Sequence, residues 1–117
     1  MRLAGMLVVA TALLAGCGPD CRSSCERLYL DGPEQCNINV ADQVGAEGAD
    51  ELVRNCMASC DDAMTKTGEL GDYDPNVRGS ADSVTLDNEK QAAAWMECVT
   101  ETSCDNLGDG YCPPHYR

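Results

Sequence analysis

The side chains best able to do chemistry in this 117-residue chain are nine cysteines: Cys17, Cys21, Cys25, Cys36, Cys56, Cys60, Cys98, Cys104 and Cys112. Thiolates bind zinc, exchange electrons or close into disulfides, and spacing helps to separate these roles. Cys21 with Cys25 and Cys56 with Cys60 form two C-x3-C pairs, which formally meet the two-to-four spacing of structural zinc sites. Thiol-redox enzymes usually place two cysteines as C-x-x-C at a helix start, and no C-x-x-C occurs here. An odd cysteine count in an exported chain ordinarily signals a spare thiol. Which chemistry prevails depends on the compartment.

The N-terminus addresses the compartment. Met1-Arg2 is a basic start, Leu3 to Leu14 is an apolar run, and Ala15-Gly16 supplies small residues at its end. These are the three parts of a secretory signal, and Gly18-Pro19-Asp20 ends the run short of the roughly 20 apolar residues a spanning helix needs. Leu14-Ala15-Gly16-Cys17 resembles the lipobox of bacterial lipoproteins, of the small cysteine-rich type. The competing readings are an ordinary signal peptide and a buried helix. The resemblance implies cleavage between Gly16 and Cys17, lipid on the Cys17 sulfur, and anchoring in the cell envelope. In that family an Asp after the lipidated cysteine retains the protein in the inner membrane; Gly18 stands there, which implies the outer membrane. Two or three acyl chains, each buried methylene contributing about 0.8 kcal/mol, anchor firmly.

Setting Cys17 aside leaves eight cysteines, a density typical of an exported disulfide scaffold. Four disulfides are the expectation, and oxidation outside the cytoplasm disfavours zinc and redox roles for the same residues. Composition agrees. All 20 acidic residues but only seven of the eight basic ones lie after Gly16. Such a surface does not bind nucleic acid, where affinity rests on Lys and Arg neutralising phosphate. There is no Phe and Trp95 is the only tryptophan, so the core is modest and covalent staples make physical sense.

The expected organisation is a signal peptide at 1–16, a lipidated start and tether at 17–20, and a disulfide-rich helical domain at 21–117 with a polar loop at about 68–87. The fold class is mainly α: an antiparallel helical hairpin plus a third helix. Asp20 can cap a first helix in which Cys21, Cys25 and Leu28 share a face, and Asp31-Gly32-Pro33 stops it. Leu52, Val53, Cys56, Cys60, Ala63 and Met64 recur at helical spacing; a second helix is expected over about 47–67, with Lys66 in its last turn and Gly68 as terminator. A third starts between Thr85 and Asn88, carries Ala92, Trp95, Met96 and Val99 on its apolar stripe, and ends near Leu107 before Gly108-Asp109-Gly110. The two prolines of the tail predict an extended segment from Tyr111 to Arg117.

Residues four apart lie on one helical face, so each C-x3-C pair presents two sulfurs to a neighbouring helix rather than to each other. Antiparallel order favours Cys21 with Cys60 and Cys25 with Cys56. The spacing is similar to the twin C-x3-C hairpins of small mitochondrial intermembrane-space chaperones, but nothing else matches and their function is not carried over. Closing about 30 residues contributes roughly 3 to 4 kcal/mol on the chain-entropy model, the second bridge of a nested pair adding less. For the other four cysteines, Cys36 with Cys104 and Cys98 with Cys112 is one workable pairing, and the alternatives stay open.

Other constellations are weaker. Asp72, Asp74 and Asn76 alternate as the opening ligands of a helix-loop-helix calcium site do. The match then fails: Val77 stands where Gly is needed, Ser83 where Glu is needed, and Pro75 intervenes. Asp and Asn are also ordinary turn residues. His115, the only histidine, lies two residues from the end, a poor place for a held general base, and Ser80 and Ser83 have no nucleophile motif around them. Trp95 reads as core. The functional expectation is a lipid-anchored envelope protein with a non-catalytic binding or structural role, no cofactor, the membrane as partner through Cys17, and a protein partner not identified. The alternatives are a periplasmic thiol-redox or metal-handling protein and a calcium-dependent adhesion module.

Overall fold

A computed structural model describes residues 19–38, 45–77 and 85–114. Among them are four helices and no strand: α1 (Cys21–Tyr29), α2 (Gly45–Met64), α3 (Glu89–Glu101) and α4 (Cys104–Gly108). The chain is a small helical domain stapled by four disulfides. None of these helices is long and apolar enough to cross a membrane.

Asp20 starts α1 as the sequence predicts. Its carboxylate accepts from the Ser23 N–H at 2.7 Å, and the Ser23 hydroxyl accepts from the Asp20 N–H at 3.2 Å. This reciprocal pair satisfies donors that a helix start otherwise leaves open. Because the Ser23 N–H bonds the charged form, the Asp20 carboxyl sits below its ordinary value. Cys21, Ser24, Cys25, Leu28 and Tyr29 form the buried stripe of α1, and Ser24 joins it with its hydroxyl lacking a hydrogen-bond partner.

Ala49, Leu52, Val53, Cys56, Cys60 and Ala63 form the matching stripe of α2. Cys21–Cys60 and Cys25–Cys56 join the two stripes in antiparallel order, with Cα–Cα separations of 5.7 and 5.8 Å. The helix runs from Gly45 to Met64, not over 47–67. Its last carbonyls are taken early: the Thr65 N–H and hydroxyl both donate to Asp62 O, and the Lys66 N–H donates to Ala63 O. Lys66 therefore lies beyond the last turn, where it pairs with Asp62 at 2.9 Å, and that carboxylate raises its pKa. Gly68 is not the terminator. A Cβ there would lie 2.6 Å from the Asn88 side chain, so Gly68 leaves room for the start of α3.

Asn88 caps α3, its Oδ1 accepting from the N–H groups of Lys90 and Gln91, while its Nδ2 donates to Glu69 O. The Glu89 N–H donates to Lys66 O at 2.8 Å, so the end of α2 meets the start of α3 and these two helices are antiparallel. Gln91, Ala92, Trp95, Met96, Cys98 and Val99 are buried. The three long helices all pack against one another, with Leu28, Tyr29, Trp95, Val99 and Leu107 fully enclosed.

The third helix does not continue to Leu107. It stops at Glu101, Thr102 takes extended backbone, and Ser103 caps the separate α4 by accepting from the Asn106 N–H. Two forces favour the break. Ser is a better cap than a helix-interior residue, and the freed carbonyls of Val99 and Thr102 accept from the Arg27 guanidinium, each at 2.8 Å. The tail is not a straight extension either. Cys112 has φ +58°, and Cys112, Pro113 and Pro114 are buried against the domain.

Candidate functional site

The eight cysteines of residues 21–112 meet in four pairs: Cys21–Cys60, Cys25–Cys56, Cys36–Cys104 and Cys98–Cys112. The workable pairing for the last four cysteines is the one observed. Each Cα–Cα separation, from 5.2 to 5.8 Å, falls in the usual range for a bridge. Gly16 and Cys17, the expected cleavage and lipidation positions, lie outside the described residues, as do Ser80, Ser83 and His115.

The bridges are unequal in surroundings. Six of the eight cysteines are buried, Cys25, Cys56, Cys60 and Cys112 completely. Cys36 is half-buried and Cys104 is exposed. Cys36 stands on a short segment that covers the end of α1: the N–H groups of Cys36, Asn37 and Ile38 donate to the carbonyls of Arg27, Leu30 and Leu28. Cys104 opens α4.

Arg27 ties the same two places without a covalent bond. From the last turn of α1 its guanidinium donates to Glu34 O, two residues before Cys36, and to Val99 O and Thr102 O at the end of α3. The planar fork with its fixed donors suits this three-carbonyl clamp in a way a lysine does not. Sequence reasoning missed it. A cation in the last turn of a helix is a signal, since it faces the carbonyl end of the dipole, but spacing says nothing of carbonyls more than 70 residues away.

Loop residues 70–76 and α3 enclose an open groove of about 600 Å³. Asp72, Asp74, Glu97 and Glu101 line it together with Leu70 and Tyr73, so it repels anions and admits cations. Asp72, Asp74 and Asn76, the weak calcium candidates, all stand on this wall. The Asp74 carboxylate accepts from the Asn76 N–H at 3.0 Å, closing a local turn. Among the described residues no three His, Cys, Asp or Glu side chains converge to hold a metal ion.

The loop is fastened from behind by the tail. The Cys112 N–H donates to Pro75 O at 2.9 Å and the Tyr73 hydroxyl to Pro113 O at 2.7 Å. The Trp95 indole N–H donates to Cys112 O at 3.1 Å from a fully buried ring, so Trp95 is core, as expected. No protein-family model, curated protein or solved structure matches the chain.

Proposed function

We propose that this is a lipid-anchored protein of the cell envelope, held in the outer membrane through Cys17 and working through its surface rather than by catalysis. The observation that carries the reading is the closure of the other eight cysteines on themselves. They leave Cys17, directly after the Leu14-Ala15-Gly16 run, with no cysteine of residues 21–112 for it to pair with. Four bridges suit an oxidising compartment, and Gly18 favours the outer membrane over the inner.

The test is the intact mass of the protein recovered from bacterial membranes, before and after reduction, with Cys17→Ser alongside. The expected chain begins at Cys17, carries the mass of a diacylglyceryl group or more, and gains two hydrogens for each of four bridges on reduction. Cys17→Ser loses the lipid mass and leaves the membrane fraction. A chain that begins at Met1, or one that gains no mass on reduction, overturns the reading.

A further inference from the structure

The four bridges divide the domain into two covalent blocks. Cys21–Cys60 and Cys25–Cys56 close α1 on α2, and Cys98–Cys112 closes α3 on the tail. Among the described residues Cys36–Cys104, spanning 68 residues, is the only bridge between the blocks. It is also the only one with an exposed cysteine. A buried disulfide is shielded from an attacking thiolate, whereas an exposed one is open to exchange. The most accessible bridge is thus also the one that joins the blocks.

We propose that Cys36–Cys104 is an exchange site for small thiols, at which Cys104 accepts the thiol as a reversible mixed disulfide. The incoming thiol first gives its proton to water. Its thiolate sulfur attacks Sγ of Cys104, the exposed residue of the pair, forming a new S–S bond while the Cys36–Cys104 bond breaks. The electron pair leaves on Cys36 Sγ, which takes a proton from water. One disulfide and one thiol become a different disulfide and thiol, so no oxidant is needed and the reverse step restores the bridge.

The fold is built to survive that opening. The Arg27 clamp holds the Cys36 segment through Glu34 O and the approach to Cys104 through Thr102 O. The Cys36 N–H remains bonded to Arg27 O at 2.7 Å, and buried Leu107 fixes α4. Both sulfurs stay near their starting places, so the bridge recloses when the thiol departs.

The experiment exposes the native full chain to reduced glutathione, blocks free thiols with iodoacetamide and maps both labels by peptide mass spectrometry. Glutathione is expected on Cys104 and the alkyl group on Cys36, appearing at least about tenfold faster than any label on the six buried cysteines, with the far-UV circular dichroism unchanged. An alkyl label on Cys17 bears on the lipid reading alone. Arg27→Ala, run in parallel, keeps the labelling order but loses the near-UV signal of Trp95 once the bridge opens. Glutathione arriving first on any buried cysteine, no adduct at concentrations that reduce the other bridges, or loss of helical signal with the first adduct overturns the proposal.

Discussion

The α1–α2 hairpin and the α3–tail region are held together by different means. In the hairpin, two apolar stripes repeat at helical spacing and two buried bridges rivet them at regular intervals. In the α3–tail region one bridge is supplemented by single polar side chains that reach distant backbone: Trp95 to Cys112 O, Tyr73 to Pro113 O, Asn88 to Glu69 O and Gln91 to Leu70 O. The first strategy is repetitive and redundant. The second is a set of individual bonds, each satisfying a carbonyl that has no helical partner. Damage should therefore be absorbed in the hairpin and felt in the α3–tail region.

The largest effect is expected where the second strategy meets the core. Trp95→Ala removes a fully buried ring and orphans Cys112 O; a loss of about 3 to 5 kcal/mol is the usual cost of such a cavity. Denaturant unfolding reads it directly, and a loss under about 1 kcal/mol would mean that the tail does not depend on α3.

Next in size is a paired comparison of bridges. Replacing both cysteines of Cys98–Cys112 by Ala opens a loop with a sequence separation of 14, worth about 3 kcal/mol on the chain-entropy model. Replacing both of Cys21–Cys60 leaves Cys25–Cys56 closing nearly the same loop, so the loss should be well below that. Equal drops in melting temperature for the two double variants would break the contrast between redundant and individual fastening.

The smallest effect concerns the start of α1. Asp20→Ala removes the cap and should cost about 1 kcal/mol, whereas Asp20→Asn keeps a capping oxygen and loses only the charge. Because the Ser23 N–H lowers the folded-state pKa of Asp20, its contribution is present above the ordinary carboxyl range. It is lost as pH falls through the depressed folded value. Thermal unfolding from neutral to acidic pH should show wild type and Asp20→Asn converging at the acid end. Parallel curves throughout would show that the Asp20 charge plays no part.

The same contrast explains what the sequence made legible. The hairpin was readable because Cys21, Cys25, Cys56 and Cys60 carry their pairing in their spacing, and because Asp20 begins its helix by a local rule. Ser24 is the exception there, a hydroxyl on the apolar stripe that no periodicity marks. The α3–tail region was readable only in outline. The start of α3 was bracketed between Thr85 and Asn88 and Trp95 was identifiable as core, but the break at Thr102 is favoured by Arg27, which lies 75 residues away. The end of α2 was misplaced for a similar reason: Gly68 looks like a terminator, yet its purpose is clearance for Asn88. At the candidate site, residue type and alternation placed Asp72, Asp74 and Asn76 together, and the structure sets all three on one wall of the groove with a local turn at Asp74.

The position of the Asp20 cap sets how the domain is presented at a surface. Only Gly18, Pro19 and Asp20 separate Cys17 from Cys21, a reach of about 10 to 14 Å, and the cap makes the helix begin as soon as that tether ends. With lipid on Cys17, the domain has little freedom to tumble. Its Cys21–Cys60 end, near the exposed Met64, would then face the bilayer. The nine residues of α1 then rise about 13 Å, carrying Arg27 and the exposed bridge to the far side. On the proposed anchoring, the lipid end would hold its buried sulfurs against the membrane, and the disulfide with an exposed cysteine would be aimed at the aqueous compartment.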